Sequence, residues 1–160
     1  MEALSISYSD DPILDLGRTE YVSCLQRQRQ IHSSVALEKS IESIIITEHF
    51  PVYTCGRAKA YPAKTLFGIP VVNIERGGDI TYHGPGQIVG YPILNLAKRL
   101  QSIPQYLRQL ENCLIEALQA IGIQAEYREK YRAGLWVIDK KLVSIGIAVR
   151  RWVTFHGFAL

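Results

Sequence analysis

Residues 76–87 read Arg-Gly-Gly-Asp-Ile-Thr-Tyr-His-Gly-Pro-Gly-Gln, with glycines at Gly77, Gly78, Gly84 and Gly86. A glycine carries no Cβ, so its backbone can take positive φ and lie directly against a ligand. Arg76, Tyr82, His83 and Gln87 stand beside that bare backbone and offer polar groups to whatever rests on it. So dense a glycine content is not expected to make a well-packed strand. The same glycines also suit two tight turns in a hairpin. Neither GxxxxGKS/T nor GxGxxG occurs in the segment, so it is not a nucleotide phosphate loop. The three cysteines, Cys24, Cys55 and Cys113, are odd in number and form no CxxC pair. They read as reduced thiols of a cytoplasmic protein rather than a disulfide framework.

The elements that must position this segment follow from periodicity. Asp11-Pro12 suits a helix start, and Leu14, Arg18, Tyr21, Val22 and Leu25 recur at helical spacing, which predicts a helix over 12–30, weakened by Gly17. Ser43–Thr47 is a β-branched run and reads as a buried strand, continued by 52–54 beyond Pro51. Residues 56–69 have no periodicity and read as a loop. Further strands are expected at 71–74 and at 88–96, the latter near an edge or bulge because of Pro92. Leu107, Leu110, Leu114, Leu118 and Ile121 step by three or four, predicting a helix from Pro104 to Ile121 that stops at Gly122. Strands at 123–127, 134–138, 141–149 and 152–155 complete the pattern, with Asp139-Lys140 as a hairpin turn. Strands outnumber helices and come in groups, which argues an α+β fold with a mixed, mostly antiparallel sheet and helices packed on it. A chain of 160 residues, 48% hydrophobic and 21% charged, suits one globular domain over 1–160 without staples. The start, MEALSISYSDD, lacks a basic stretch followed by an apolar block, so no leader is expected. The net charge of +3 permits acidic partners but does not call for nucleic acid, and no apolar run is long enough to span a membrane.

RGGDITYHGPGQIVGYPILNL (76–96) resembles the signature of the octanoyltransferases of lipoate biosynthesis, the lipoyl(octanoyl) transferases. EHFPVYTCGR (48–57) is similar to that family's upstream strand and turn, and GLWVIDKKLVSIGIAVRRWVTFHGFAL (134–160) to its later lysine-bearing and His-Gly strands. The likeness runs in order from about Ile44 to the last residue. It implies the fold of biotin and lipoate protein ligase catalytic domains. It also implies transfer of an octanoyl group from octanoyl-acyl carrier protein to a lysine of apo lipoyl domains. Those acceptors belong to 2-oxoacid dehydrogenases and the glycine cleavage H protein. Neither metal nor nucleotide cofactor, nucleic acid nor membrane is implied. By matching positions, Arg76, Gly77, Gly78, Asp79, Ile80, Thr81, Tyr82 and His83 would line the acyl site. Ser144, Ile145 and Gly146 would form one further wall, and Gly157, Phe158 and Ala159 another. Lys141 would be the activating lysine.

If 141–149 is a regular strand, Lys141 shares a face with Val143, Ile145, Ile147 and Val149. An amine at the end of an apolar face is partly desolvated, which favours its neutral form. Such an amine could take a thiol proton and later deprotonate an acceptor lysine. The same position also suits a lysine that extends past a hairpin turn into solvent. His83 and His156 equally suit satisfied, partly buried imidazoles. The family carries the acyl group on a cysteine in a Pro-Cys-Gly segment beyond the HGFAL block, and none of the three cysteines here has that context. Cys24 and Cys113 fall on expected helices and read as core fillers. Cys55 lies on an expected turn and reads as an accessible thiol near the pocket. The sequence therefore implies a domain lacking the family's C-terminal segment, which binds substrate with little transfer of its own. The same gap is expected to expose a strand edge and apolar residues such as Phe158 and Leu160, and so to lower stability or favour self-association. Two other readings are a lipoate or biotin protein ligase that works through an adenylate, and a non-catalytic module binding acyl carrier protein or lipoyl domains. The latter would use basic pairs such as Lys98-Arg99 and Arg150-Arg151.

Overall fold

Two sheets and two long helices make up the computed structural model, which describes residues 11–58, 60–99, 102–128 and 133–160. Most of the segment from which no leader was expected, residues 1–10, lies outside the described residues. The larger sheet holds β1 (Ile13–Thr19), β2 (Ser43–His49), β7 (Val89–Ile93), β10 (Val153–Ala159), β9 (Lys140–Arg150) and β8 (Gly134–Val137), in that spatial order. Only β1 and β2 run parallel within it. The smaller sheet is ordered β4 (Thr65–Leu66), β5 (Ile69–Asn73), β3 (Val52–Cys55) and β6 (Ile80–His83). The α+β, mostly antiparallel architecture expected from the grouped strands is the one observed.

The start of the chain departs from its helical spacing. Residues 13–19 form β1, and the first helix, α1 (Tyr21–Ala36), begins only after it. Asp11 Oδ1 accepts a hydrogen bond from Ile13 N at 2.8 Å, and Asp15 Oδ1 one from Gly17 N at 2.9 Å. These local turns compete with helix, and Gly17 at φ +58° interrupts it outright. Pairing with β2, from Ile13 opposite Ile44 to Thr19 opposite His49, then fixes the extended form. Within α1, Cys24, Ile31 and Val35 pack on Ile45, Val89, Tyr91 and Ile93 of the larger sheet. Tyr21 and Leu25 pack on Val52 and Ile74 beside the smaller one. The second helix, α2 (Ile103–Ala120), is close to its expected span. Ser102 Oγ accepts from Gln105 N, Pro104 sits in the first turn, and Leu114 and Leu118 close over Leu135 and Val143.

Several boundaries shift for local reasons. The loop expected over 56–69 contains the β4–β5 hairpin, turned by Phe67 and Gly68 at φ +50° and +75°. Residues 80–83, placed in a segment not expected to form a strand, are β6: the glycines flank Ile-Thr-Tyr-His rather than interrupt it. Among the described residues, the segment 123–127 makes a single bridge, Glu126 to Trp136. The β8–β9 turn is Ile138-Asp139 instead of Asp139-Lys140, since Val137 pairs with Lys140 and Ile138 takes φ +53°. Finally, β10 is no edge. It pairs with β9 along its length and with β7, and Leu160 exchanges backbone hydrogen bonds with Ile88 at 2.8 and 2.9 Å. Phe158 and Leu160 are accordingly half-buried against the α2 core. Among the described residues no helix is long and apolar enough to cross a membrane.

Candidate active site

A cavity of about 560 Å³ opens where β9 and β10 meet the glycine-rich segment. Its two strand walls are in register: Ser144 faces Ala159, Ile145 faces Phe158, Gly146 faces Gly157 and Ile147 faces His156. The glycines let the facing backbones close. A Cβ on Gly146 would lie 2.9 Å from Arg76 Cδ and 3.1 Å from Gly77 O, and one on Gly157 would meet the Gly90 carbonyl and, at 2.7 Å, Pro92 Cδ. Gly77 N donates to Ile147 O at 2.9 Å, tying the glycine-rich segment to β9.

Arg76 fastens that segment from within. Its Nη2 donates to Thr54 O at 2.8 Å, Thr54 Oγ1 at 3.0 Å and Thr81 Oγ1 at 2.9 Å, while Nη1 donates to Gly77 O at 2.9 Å. Burial pushes its pKa below the usual guanidinium value. Since Thr54 Oγ1 accepts from Arg76, its own hydrogen is free to go to His83 Nε2, 3.2 Å away. His83 Nδ1 then donates to Gln87 Oε1 at 2.7 Å. Burial lowers the His83 pKa to about 4, so the ring is neutral near pH 7. Around it Tyr21 stacks at 6.1 Å between centroids, and His49 binds the Tyr91 hydroxyl at 2.7 Å. Burial raises the pKa of both Tyr21 and Tyr91. Apart from the clamped Arg76 guanidinium, the floor is therefore neutral, aromatic and hydrogen-bonded within itself.

Lys141 lies at one end. Its Nζ donates to Ala133 O at 3.4 Å and sits 5.1 Å from the Trp136 ring centroid. The regular strand assumed for it is broken: Leu135 pairs with Val143 but Trp136 with Lys141, leaving Leu142 as an extra residue. That bulge ends the alternation which would have set Lys141 in line with Val143, and the residue is exposed rather than desolvated by an apolar face. The bulge instead aims the side chain back over Gly134, where an added Cβ would lie 2.6 Å from Lys141 Cε and 3.1 Å from Nζ. Gly134 is opposite Ser144, so the amine reaches the level of Ser144. Glu111, buried on α2, fixes this corner by accepting from Gly134 N at 3.2 Å.

Every residue expected at the site lines this cavity except Tyr82. Alternation along β6 places Thr81 and His83 on one face and Tyr82 on the other, where its ring packs 5.4 Å from Tyr53. The cavity also takes Tyr21, Val89, Tyr91, Leu107, Ala133, Ile147 and His156. Ile147 was legible from its two-residue spacing to Ile145. Tyr21 and Tyr91 had no local signal, because α1 and β7 converge here only through the fold. The sequence allows His156 to be a satisfied, partly buried imidazole. Its ring is buried, yet neither nitrogen has a hydrogen-bond partner among the described residues.

None of the three cysteines lines the cavity. Cys24 lies in the α1 core, and Cys55 closes β3 as a buried thiol whose pKa burial raises, not as an accessible thiol on a turn. Cys113, expected as a core filler, is exposed on α2. Of the basic pairs, Lys98 binds Glu38 at 3.0 Å and Arg99 binds Glu42, so both cations already face carboxylates.

Residues 20–160 match the lipoyl protein ligase A/B catalytic domain. The chain is 47% identical over 148 residues to the octanoyltransferase of Geobacter metallireducens, covering 92% of this chain and 69% of that protein. It is 45% identical to the octanoyltransferase of Geobacter sulfurreducens, again over 92% of this chain but 63% of the relative. The chain thus spans about two thirds of the length of these relatives. Among solved structures, a bi-partite lipoate protein ligase from Thermoplasma acidophilum superposes with a TM-score of 0.66 over 92% of this chain and 60% of its own, at 15% identity, which shows the shared fold.

Proposed function

The chain belongs to the octanoyltransferase family, acyltransferases built on the lipoyl protein ligase A/B catalytic domain, and from that premise we propose that it moves an octanoyl group from acyl carrier protein to a lysine of apo lipoyl domains. One observation carries the reading: a glycine-walled cavity floored by neutral aromatic rings, with a lysine amine at one end. Bare backbone on β9 and β10 and the rings of Tyr21 and Tyr91 suit an unbranched apolar chain, which needs burial and no charged partner. The thioester carbonyl would then stand at the level of Ser144, within reach of Lys141. In its neutral form the amine takes the proton of the attacking cysteine thiol. The ammonium so formed stabilises the thiolate and then gives its proton to the departing pantetheine thiolate of the carrier protein, which restores the neutral amine. In the second half-reaction that amine accepts a proton from the incoming lysine and passes it to the departing cysteine thiolate.

In this reading the acyl group rests on a cysteine of the family's Pro-Cys-Gly segment, which residues 1–160 do not contain. Residues 1–160 thus supply the acyl-binding walls and the activating lysine of one catalytic domain. Mass spectrometry of octanoyl-acyl carrier protein, an apo lipoyl domain and the protein together tests the scheme. Octanoylated lipoyl domain is expected without ATP when the Pro-Cys-Gly segment is present, and little or none from residues 1–160 alone. A requirement for ATP would replace it with the adenylate chemistry of a ligase. An acyl adduct on Cys55 would move the nucleophile into these residues.

A further inference from the structure

His156 lies at the end of the cavity away from Lys141 and is held there unusually. It takes φ +56°, a conformation costly for a residue with a Cβ. Adjacent residues of a regular strand point to opposite faces, yet the rings of Phe155 and His156 stack with centroids 4.7 Å apart. The His156 backbone N–H donates to Gln28 Oε1 at 3.0 Å, from a glutamine that is itself wholly buried on α1. The imidazole is 1% exposed, and the Glu75 Oε2 lies 3.8 Å from its Nε2. Strain and an unfilled hydrogen-bonding capacity thus coincide at one cavity wall.

The register of the two strands gives the distance from the reacting end. Lys141 Nζ reaches the level of Ser144, and His156 faces Ile147, three residues further along β9. At about 3.3 Å per residue that separation is roughly 10 Å. Seven carbon–carbon bonds of about 1.5 Å in an extended zigzag run about 9 Å from carbonyl to methyl. We propose that the His156 ring is the end stop that sets the length of the acyl chain this cavity accepts, near eight carbons. This rests on the acyl-transfer reading above and deepens it. The stop works in two ways. The ring is fixed by its left-handed backbone and the Phe155 stack, so it does not yield to a longer chain. Its two nitrogens, neither of them hydrogen-bonded among the described residues, and the Glu75 carboxylate also make the space beyond it a poor place for further methylenes.

Binding of acyl-pantetheine thioesters of six to fourteen carbons, measured by calorimetry, tests this without turnover. For the protein as it stands, affinity should climb about fourfold per added methylene up to about eight carbons and then stop rising. H156G removes the ring while suiting the positive φ, and H156N keeps a polar side chain of smaller size in a residue that tolerates it. In H156G the ten-carbon thioester should gain roughly tenfold over the eight-carbon one; H156N should shift the same way by less. Circular dichroism checks that both variants are folded, and either one suffices for the comparison. A chain-length profile unchanged in a folded variant overturns the end stop alone. Failure of every thioester to bind the unaltered protein overturns both the end stop and the acyl-transfer reading.

Discussion

Burial decides the charge of the imidazoles that face the cavity. His83 and His156 both have pKa values lowered to about 4, chiefly because a protonated ring would lose its hydration. In the unfolded chain a histidine titrates near 6.5. Above that pH both states are neutral and the folded state has its full stability. As pH falls from 6.5 to 4 the unfolded chain binds protons that the folded one refuses, so stability falls; below about 4 both states are charged and the slope disappears. Each ring is worth roughly 3 kcal/mol across that window. Urea unfolding at pH 7 and at pH 4.5 measures it. His32 and His49 are also held below 6.5 by burial and add to the difference, and His83→Gln, which can still bond Thr54, should remove about 2–3 kcal/mol of it. An identical pH dependence in the variant would mean that His83 is charged or hydrated in the fold.

At the scale of elements, what positions the site is the closeness of the glycine-rich segment to β9. Gly146→Ala puts a Cβ 2.9 Å from Arg76 Cδ and 3.1 Å from Gly77 O. Backbone and a clamped guanidinium cannot both give way, so the segment must lift and the Gly77–Ile147 hydrogen bond must break. The expected result is a stability loss of about 1–3 kcal/mol and at least a tenfold weaker grip on an acyl thioester, read by denaturant titration and calorimetry. Unchanged binding would show that the cavity walls move independently. This close approach was foreshadowed by the glycines themselves, and the α2 helix by its leucine spacing, since both signals are local. The strand at 13–19 was hidden because pairing with β2, about thirty residues away, outweighs the spacing of Leu14, Arg18 and Tyr21. The exposure of Lys141 was hidden for a related reason. One extra residue at Leu142 reverses the alternation, and no residue type there announces a bulge.

Across the whole molecule, α1 is the element common to both sheets. Cys24, Ile31 and Val35 seal the larger sheet while Tyr21 and Leu25, one turn apart, seal the smaller. Tyr21 also stacks on His83 and lines the cavity, so the wall of the site depends on the same helix. If α1 joins the two sheets energetically, neither opens alone. Two native reporters separate them: Trp136 is buried on β8 of the larger sheet, and the Cys55 thiol is buried on β3 of the smaller. In increasing urea, Trp136 emission and Cys55 labelling, both followed in one Trp152→Phe, Cys24→Ala, Cys113→Ser background, should change with one midpoint. Leu25→Ala leaves a cavity where the helix meets the smaller sheet and should cost about 2–4 kcal/mol. Joined sheets require both midpoints to fall together in that variant. If Cys55 became reactive at a urea concentration that left Trp136 buried, the smaller sheet would be a separate unit. The Arg76–Thr54 clamp would then be set by local opening of that sheet, and acyl binding would weaken before the protein unfolds.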